Sequence, residues 1–185
     1  GNSKAVDMNL SRMLAVRAET GNPVRVGLVG AGKFGSMFLA QARLTKGLQV
    51  LGIADLDVVR AAESCRQVGW PDEQIAAASL DDAMSSGATF IGDDALALNA
   101  HPGLDILVDA TGDPRTGIHH CLAAIDNGKH VLMVNVEADV VAGPLLARKA
   151  EAAGVVYSLA WGDQPALIIE HIDWARACGF KVVCA

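Results

Sequence analysis

Three glycines with the spacing of a phosphate-binding turn follow the first strongly apolar stretch of the chain. That stretch spans 24–29, and Gly30, Gly32 and Gly35 come directly after it, at the start of a helical pattern. In such a turn the first glycine permits a tight reversal, the second lets the backbone approach a pyrophosphate, and the third lets helix and strand pack closely. The amides and the dipole at the helix start favour the anion. The spacing predicts a dinucleotide-binding loop, with a plain strand-to-helix turn as the alternative; its residues are Gly30, Ala31, Gly32, Lys33, Phe34 and Gly35.

A carboxylate stands at the end of the second predicted strand, about 20 residues after the last of these glycines. There Asp55 can accept hydrogen bonds from the adenine ribose hydroxyls of a dinucleotide, and it would repel the 2′-phosphate of NADP. Arg60, one turn into the next helix, can reach that phosphate; its alternative role is that of a solvated helix arginine. The residue types favour NAD(H) slightly, and the cofactor is predicted to be NADP or NAD.

Small residues follow the fourth predicted strand in the segment VDATGDP. Because ligands bind outside the carboxyl ends of parallel strands, Ala110, Thr111 and Gly112 are expected beside the cofactor cleft. Their size lets the nicotinamide half of a dinucleotide pass, and Thr111 can bond its ribose or phosphate. The alternative is an ordinary helix start.

Polar residues also follow the fifth and sixth predicted strands. Asn135, Glu137 and Asp139 come after the fifth strand, and Gln164 comes after the sixth in the segment GDQP. Two carboxylates two positions apart can bind a divalent metal or handle protons. Alternatively they cap the next helix, whose body is expected to begin near 143 or 144, and the GDQP segment starts the helix after it.

The elements that must position these residues alternate along the chain. Short runs of Val, Ile and Leu, typical of a parallel sheet covered on both faces, are separated by helical segments. The pattern predicts an α/β fold with a Rossmann-type doubly wound parallel sheet. Its expected strands are 24–29, 48–54, 88–92, 104–110, 129–135, 155–160 and 180–185.

Composition limits the classes of function. The 185 residues carry a net charge of −6, which argues against a nucleic-acid binder because no basic block is present. Four widely spaced cysteines show no zinc or redox spacing and are interpreted as free thiols of a reducing compartment. No apolar stretch is long enough for a membrane span. We therefore expect a cytoplasmic protein with neither nucleic-acid nor membrane partners.

The sequence is divided into two parts. Residues 1–21 are interpreted as an N-terminal segment with a short helix capped by Ser11, in which 1–7 are foreign to the native chain. Residues 22–185 are interpreted as the dinucleotide-binding domain. Because the last residues follow a strand pattern, we expect this domain to be the N-terminal part of a longer two-domain enzyme, with a substrate domain after residue 185.

Over about residues 10–185, the chain resembles the NAD(P)-binding half of homoserine-dehydrogenase-like oxidoreductases. The resemblance rests on VGLVGAGKFG, VDATGDP and AAIDNGKHVLMVNVEADVVAGPLLARKAEAAGVVYSLAWGDQP. The pieces NVEAD and GDQP are most similar to the 1-deoxy-D-xylulose 5-phosphate reductoisomerase-like branch, also described as SAF-domain oxidoreductases. Homoserine dehydrogenases carry a catalytic lysine directly after the asparagine, whereas Val136 follows Asn135 here, which argues against homoserine oxidation.

The resemblance implies a step of isoprenoid biosynthesis, the NADPH-dependent rearrangement and reduction of 1-deoxy-D-xylulose 5-phosphate to 2-C-methyl-D-erythritol 4-phosphate. A divalent metal, Mg²⁺ or Mn²⁺, would stabilise the enediolate through which a carbon–carbon bond is remade. Glu137 and Asp139 would bind this metal or handle protons, and Asn135 and Gln164 would orient the substrate, a phosphorylated sugar. A homo-oligomer is expected. The alternatives are a dehydrogenase of another hydroxy acid or amino acid and, least favoured, a non-enzymatic NAD(H) sensor.

Overall fold

The apolar stretches of the sequence form one parallel sheet in the computed structural model, which describes residues 9–160 and 164–184. Its strands are β1 (Val24–Val29), β2 (Leu48–Ala54), β3 (Phe90–Gly92), β4 (Ile106–Asp109), β5 (His130–Met133) and β6 (Tyr157–Leu159). In space they lie in the order β3-β2-β1-β4-β5-β6, and every neighbouring pair is parallel. The order reverses direction between β1 and β4, which is where a doubly wound sheet opens its ligand crevice.

Helices connect the strands. They are α1 (Leu10–Glu19), α2 (Lys33–Ala42), α3 (Val58–Gln67), α4 (Leu80–Ser86), α5 (Ala95–Ala100), α6 (Pro114–Asp126), α7 (Val136–Ala153) and α8 (Gln164–Ala177), with a 3₁₀ turn at Asp72–Ile75. Most begin at a side chain that accepts a first-turn backbone N–H, as Ser79 does for α4 and Asp113 for α6. Among the helices that the structure describes, none is long and apolar enough to cross a membrane.

Both faces of the sheet are covered, which explains the near-continuous apolar runs of its strands. On one face α2 and α3 pack against β1 and β2, with Leu28, Leu39 and Ile53 in the core. On the opposite face α4 to α7 bury a second core that contains Leu51, Leu98, Leu107, Met133 and Leu146. The doubly wound α/β fold predicted from the sequence is confirmed.

Helix α7 begins seven residues earlier than the sequence suggested. We expected its body to start near Gly143 or Pro144, because proline is common in a first helical turn. Instead Asn135 caps a helix that runs through Val136–Ala153, and Pro144 lies inside it. A proline removes one backbone hydrogen bond from the ladder. The packing of Ala138 and Leu146, both fully buried, holds the two halves of α7 on the core.

Two terminal expectations need correction. Asn9 rather than Ser11 caps α1, since the Asn9 side chain accepts the Arg12 amide while the Ser11 hydroxyl donates to Asn9 Oδ1. The seventh strand is not formed over the described residues 180–184. A β-rich sequence becomes a strand only where it pairs with a sheet edge. Nothing in 180–184 is paired with β6, the last strand on that side.

Candidate functional site

A cleft opens at the carboxyl ends of β1, β2 and β4, with a volume of about 580 Å³. Seven of the predicted cofactor residues line it: Gly30, Gly32, Asp55, Arg60, Ala110, Thr111 and Gly112. The four others support the loop from behind or beside it. Ala31 and Gly35 are buried, Phe34 packs into the α2–α3 core, and Lys33 is exposed at the start of α2.

Glycine occupies each of the three positions of the loop for a different structural reason. Gly30 has φ +91°, and a Cβ atom there would lie 2.8 Å from the carbonyl oxygen of Ala110. At Gly35 a Cβ atom would lie 2.5 Å from the carbonyl oxygen of Gly30, so only glycine lets α2 pack this closely on the turn. Gly32 has no atom within 4 Å of the Cβ position and faces the cleft. Folding therefore requires Gly30 and Gly35, whereas Gly32 leaves backbone open to a ligand.

The start of α2 has no side-chain cap. Its N-cap residue is Gly32, and no side chain accepts the N–H groups of the first turn. The side chain of Asp57 performs this task at the neighbouring helix α3. The first four N–H groups of a helix have no partner within the helix and attract anions. The uncapped end of α2 at the cleft therefore suits a pyrophosphate.

Asp55 ties the glycine loop to the end of β2. Its Oδ2 accepts the Ala31 amide at 2.7 Å, and its Oδ1 accepts the Asp57 amide at 2.9 Å and the Arg60 guanidinium at 3.0 Å. The Asp55 side chain is 5% exposed and that of Arg60 is 59% exposed. Arg60 is therefore not only a solvated helix arginine, because it places a cation beside the carboxylate that was predicted to bind ribose.

A chain of hydrogen bonds joins the ends of β4 and β5. Asp109, fully buried, accepts the Thr111 hydroxyl at 2.6 Å and the Thr111 amide at 3.2 Å. Asn135 donates from Nδ2 to the Thr111 hydroxyl oxygen at 3.2 Å and to the Asp113 carbonyl at 2.9 Å, while its Oδ1 accepts the Ala138 amide. The loop after β4 and the first turn of α7 are thus held as one unit.

Sequence reasoning missed one member of this network. His120, in the second turn of α6, lies with its Nδ1 2.8 Å from Asp109 Oδ2 and lines the cleft. Gly117 leaves room for the network, because a Cβ atom there would lie 2.7 Å from Asn135 Nδ2 and 3.2 Å from Asp109 Oδ1. The signal available in the sequence was Asp109 at a strand end. No spacing rule links that residue to a histidine eleven positions later.

The structure does not place Glu137 and Asp139 in the cleft. Residues two apart on a helix project from different sides, since each residue turns the helix by about 100°. Glu137 is exposed, whereas Asp139 accepts the Tyr157 hydroxyl at 2.6 Å and lines a second cavity of about 820 Å³ between α7, β6 and α8. Burial and this hydrogen bond raise the pKa of Tyr157 well above its ordinary value, so the hydroxyl remains a donor.

The structure gives no further ligand for the predicted substrate and metal sites among the described residues. Gln164 is the first residue of α8, but its side chain and the preceding residues 161–163 lie outside the described part of the chain. Within 9–160 and 164–184, no group of three His, Cys, Asp or Glu side chains is arranged to hold a metal ion. The predicted metal pair, Glu137 and Asp139, therefore gains no third ligand from the described residues.

Known proteins resemble this chain over most of its length. A homoserine dehydrogenase from Pseudomonas aeruginosa is 30% identical over 136 residues, which cover 72% of this chain and 28% of the relative. An NAD binding oxidoreductase from Klebsiella pneumoniae has a TM-score of 0.55 at 21% identity, covering 84% of this chain and 39% of that protein. A DOX-P reductoisomerase in complex with magnesium has a TM-score of 0.53 at 20% identity, covering 74% and 37%. The two structural matches show a shared fold, and the chain spans well under half of each of these proteins.

Two family models match successive parts of the sequence. Residues 24–134 match the model described as "Oxidoreductase family, NAD-binding Rossmann fold". Residues 162–185 match the model described as "Oxidoreductase DRL, catalytic domain". The first match includes the glycine loop, Asp55 and the loop after β4, which are the elements that form the cleft. The resemblance to homoserine-dehydrogenase-like oxidoreductases is confirmed, and the chain belongs to the oxidoreductase family with an NAD-binding Rossmann fold.

Proposed function

We propose that the cleft binds NADPH or NADH in one orientation. The pyrophosphate lies on the exposed backbone of Gly32 and the uncapped start of α2. The adenine ribose lies at Asp55 and Arg60, and the nicotinamide half passes the loop after β4 towards Asn135. This assignment is supported by the open space at Gly32, because a ligand can approach the backbone there without displacing any atom.

For the reaction, we propose a reductoisomerase-like oxidoreductase that converts 1-deoxy-D-xylulose 5-phosphate into 2-C-methyl-D-erythritol 4-phosphate. The observation that carries this proposal is the succession of the two family matches, an NAD-binding Rossmann fold over 24–134 followed by a match to the DRL catalytic domain over 162–185. The fold shared with a DOX-P reductoisomerase supports it. Val136 occupies the position after Asn135 where the catalytic lysine of homoserine dehydrogenases would stand.

The chemistry can be divided among the residues of this chain. A bound reduced nicotinamide supplies the hydride. Asn135 is 2% exposed and fixed by three hydrogen bonds, so it keeps the end of β5 rigid beside the reacting groups. We assign proton handling to Asp139 rather than Glu137, since only Asp139 lines a cavity and has a hydroxyl partner.

The test is oxidation of NADPH and NADH, followed by absorbance, by the complete gene product with 1-deoxy-D-xylulose 5-phosphate and Mg²⁺ or Mn²⁺. The proposal predicts turnover with this sugar phosphate, 2-C-methyl-D-erythritol 4-phosphate as the product, and no turnover with homoserine. Turnover with homoserine, or with another hydroxy acid or amino acid, would instead assign the protein to the dehydrogenases suggested by its Pseudomonas aeruginosa relative.

A further inference from the structure

We propose that His120 recognises the adenine base of the dinucleotide by accepting a hydrogen bond from its exocyclic amine, and that Asp109 fixes the ring nitrogen that does so. The inference rests on the proposed cofactor site, since it requires the adenine ribose at Asp55. It adds to that site a residue that selects between purines.

The pair formed by His120 and Asp109 determines where the imidazole proton lies. The Asp109 carboxylate is 0% exposed and can only accept hydrogen bonds. Its Oδ1 receives the hydroxyl and the amide of Thr111, and its Oδ2 lies 2.8 Å from His120 Nδ1. In the neutral form of the ring, the proton therefore lies on Nδ1. Nε2 then carries a lone pair, for which no hydrogen-bond partner is found in the described parts of the chain.

The position of His120 in the cleft fits the base rather than the phosphates. The glycine loop and Asp55 form one wall of the cleft, and the start of α5 and the first two turns of α6 form the other. A base attached to a ribose at Asp55 extends away from the pyrophosphate and meets this second wall. The wall contributes Asp94, Leu96, Thr116, His119 and His120, together with the exposed Asp93 just before α5.

The polar side chains of that wall differ in their ability to accept a hydrogen bond from the base. Asp94 Oδ1 already accepts the Leu96 and Ala97 amides as the cap of α5. His119 is exposed, and its ring centroid lies 6.4 Å from that of His120. His120, with an 11% exposed side chain, is the ring whose orientation a buried partner fixes. A preorganised acceptor discriminates more strongly than a mobile one, because no ordering of the side chain opposes binding.

The chemistry of purines makes the proposal specific. Adenine presents an amine donor at position 6, whereas hypoxanthine presents a carbonyl acceptor there. A lone pair on Nε2 attracts the amine and repels the carbonyl. One such hydrogen bond is worth about a tenfold difference in affinity. The wild-type cleft is therefore expected to bind NADH about tenfold more tightly than reduced nicotinamide hypoxanthine dinucleotide.

The variant Asp109→Asn should reverse this preference. Thr111 donates twice to the Oδ1 position, which orients the new amide with its oxygen towards Thr111 and its NH₂ group towards His120. Nδ1 then accepts, the proton of the ring moves to Nε2, and the cleft gains a donor that suits the carbonyl of hypoxanthine.

The experiment measures dissociation constants of NADH and reduced nicotinamide hypoxanthine dinucleotide by calorimetry for four proteins, with thermal unfolding as the check of folding. The four proteins are the wild type, His120→Phe, Asp109→Asn and the control His171→Gln, which changes an exposed histidine of α8 outside the cleft. We expect the ratio of the two constants to fall to about one in His120→Phe, to invert in Asp109→Asn, and to persist in His171→Gln.

The outcomes separate the two proposals. If neither dinucleotide binds to the wild type, the proposed cofactor site is wrong. If both bind and the wild type shows no preference, or His120→Phe keeps the preference, or His171→Gln removes it, the role of His120 is overturned while the cofactor site stands. If Asp109→Asn does not fold, the comparison of His120→Phe with His171→Gln tests the role of His120 alone.

Discussion

Asp55 and Arg60 form an ion pair at the end of β2, with Oδ1 and Nη2 3.0 Å apart. The other oxygen of the same carboxylate holds the Ala31 amide of the glycine loop. An acid that suits ribose hydroxyls and a base that suits a 2′-phosphate are therefore side by side, and we propose that the balance between them sets the choice of cofactor.

Asp55→Ala is expected to raise the affinity for NADPH relative to NADH by about tenfold, because it removes the charge that repels the 2′-phosphate and releases Arg60. Binding titrations with both cofactors measure the ratio. Arg60→Gln serves as the matched control and should shift the ratio in the opposite direction. An unchanged ratio in Asp55→Ala would refute the role of this carboxylate in cofactor choice.

Gly32→Ser and Gly35→Ala should separate binding from folding. Serine at 32 provides the missing cap of α2, so the free energy of unfolding is kept or rises by a few tenths of a kcal/mol, while dinucleotide affinity falls by about tenfold or more. Alanine at 35 would place Cβ against the Gly30 carbonyl and should lower the free energy of unfolding by about 1–3 kcal/mol. Urea unfolding and cofactor titration distinguish the two. Equal losses of stability would contradict the different reasons assigned to these glycines.

The four thiols should fall into two classes. Burial raises the pKa of Cys65 to about 11 and of Cys121 to about 12. Cys178 and Cys184 are exposed, so a disulfide reagent at pH 8 should modify these two first and reach the others only on unfolding.

The raised pKa values of Cys65 and Cys121 also predict that the folded protein loses stability at alkaline pH. In the unfolded chain the thiols of Cys65 and Cys121 ionise near their ordinary pKa of 9.0. In the folded chain Cys65 stays neutral up to about pH 11 and Cys121 up to about pH 12. Stability is therefore full below pH 9 and falls as the pH rises through this window. Urea midpoints between pH 8 and 11 measure the fall, which Cys65→Ala should reduce and Cys178→Ala should not.

Asp139→Asn and Glu137→Gln test the assignment of proton handling in the complete gene product. If Asp139 moves a proton, its amide variant should lower kcat by about 100-fold or more, while Glu137→Gln should change kcat by about twofold at most. Tyr157→Phe removes the hydroxyl partner of Asp139 and should lower kcat by an amount between the effects of the two carboxylate variants. Equal losses in both carboxylate variants would favour the earlier interpretation that they act as a pair.

The bounds of β1 and β2 follow directly from the sequence because both strands are central, buried on both faces, and bounded by turn residues. The start of α7 was not predicted correctly. Local signals pointed to Pro144, whereas the burial of Ala138 and the cap at Asn135 depend on contacts between elements distant in the chain.

The site shows the same difference between features set by the local sequence and features set by contacts between distant elements. Residues at strand ends, such as Asp55 and Thr111, were predicted because the fold class alone brings the carboxyl ends of strands together. His120 could not be predicted, since its contact with Asp109 depends on how α6 packs beside β4 and on the space that Gly117 leaves. Glu137 and Asp139 are two positions apart in the sequence, and the helix turns their side chains to different sides.

The uncapped start of α2 has a consequence for the life of the protein in a cell. A helix end that lacks a side-chain cap is less stable, and an anion bound there replaces the missing partner. A dinucleotide that binds the folded chain and not the unfolded one lowers the unfolded fraction in proportion to its concentration. Degradation acts on that fraction. The abundance of this protein should therefore follow the supply of its own cofactor.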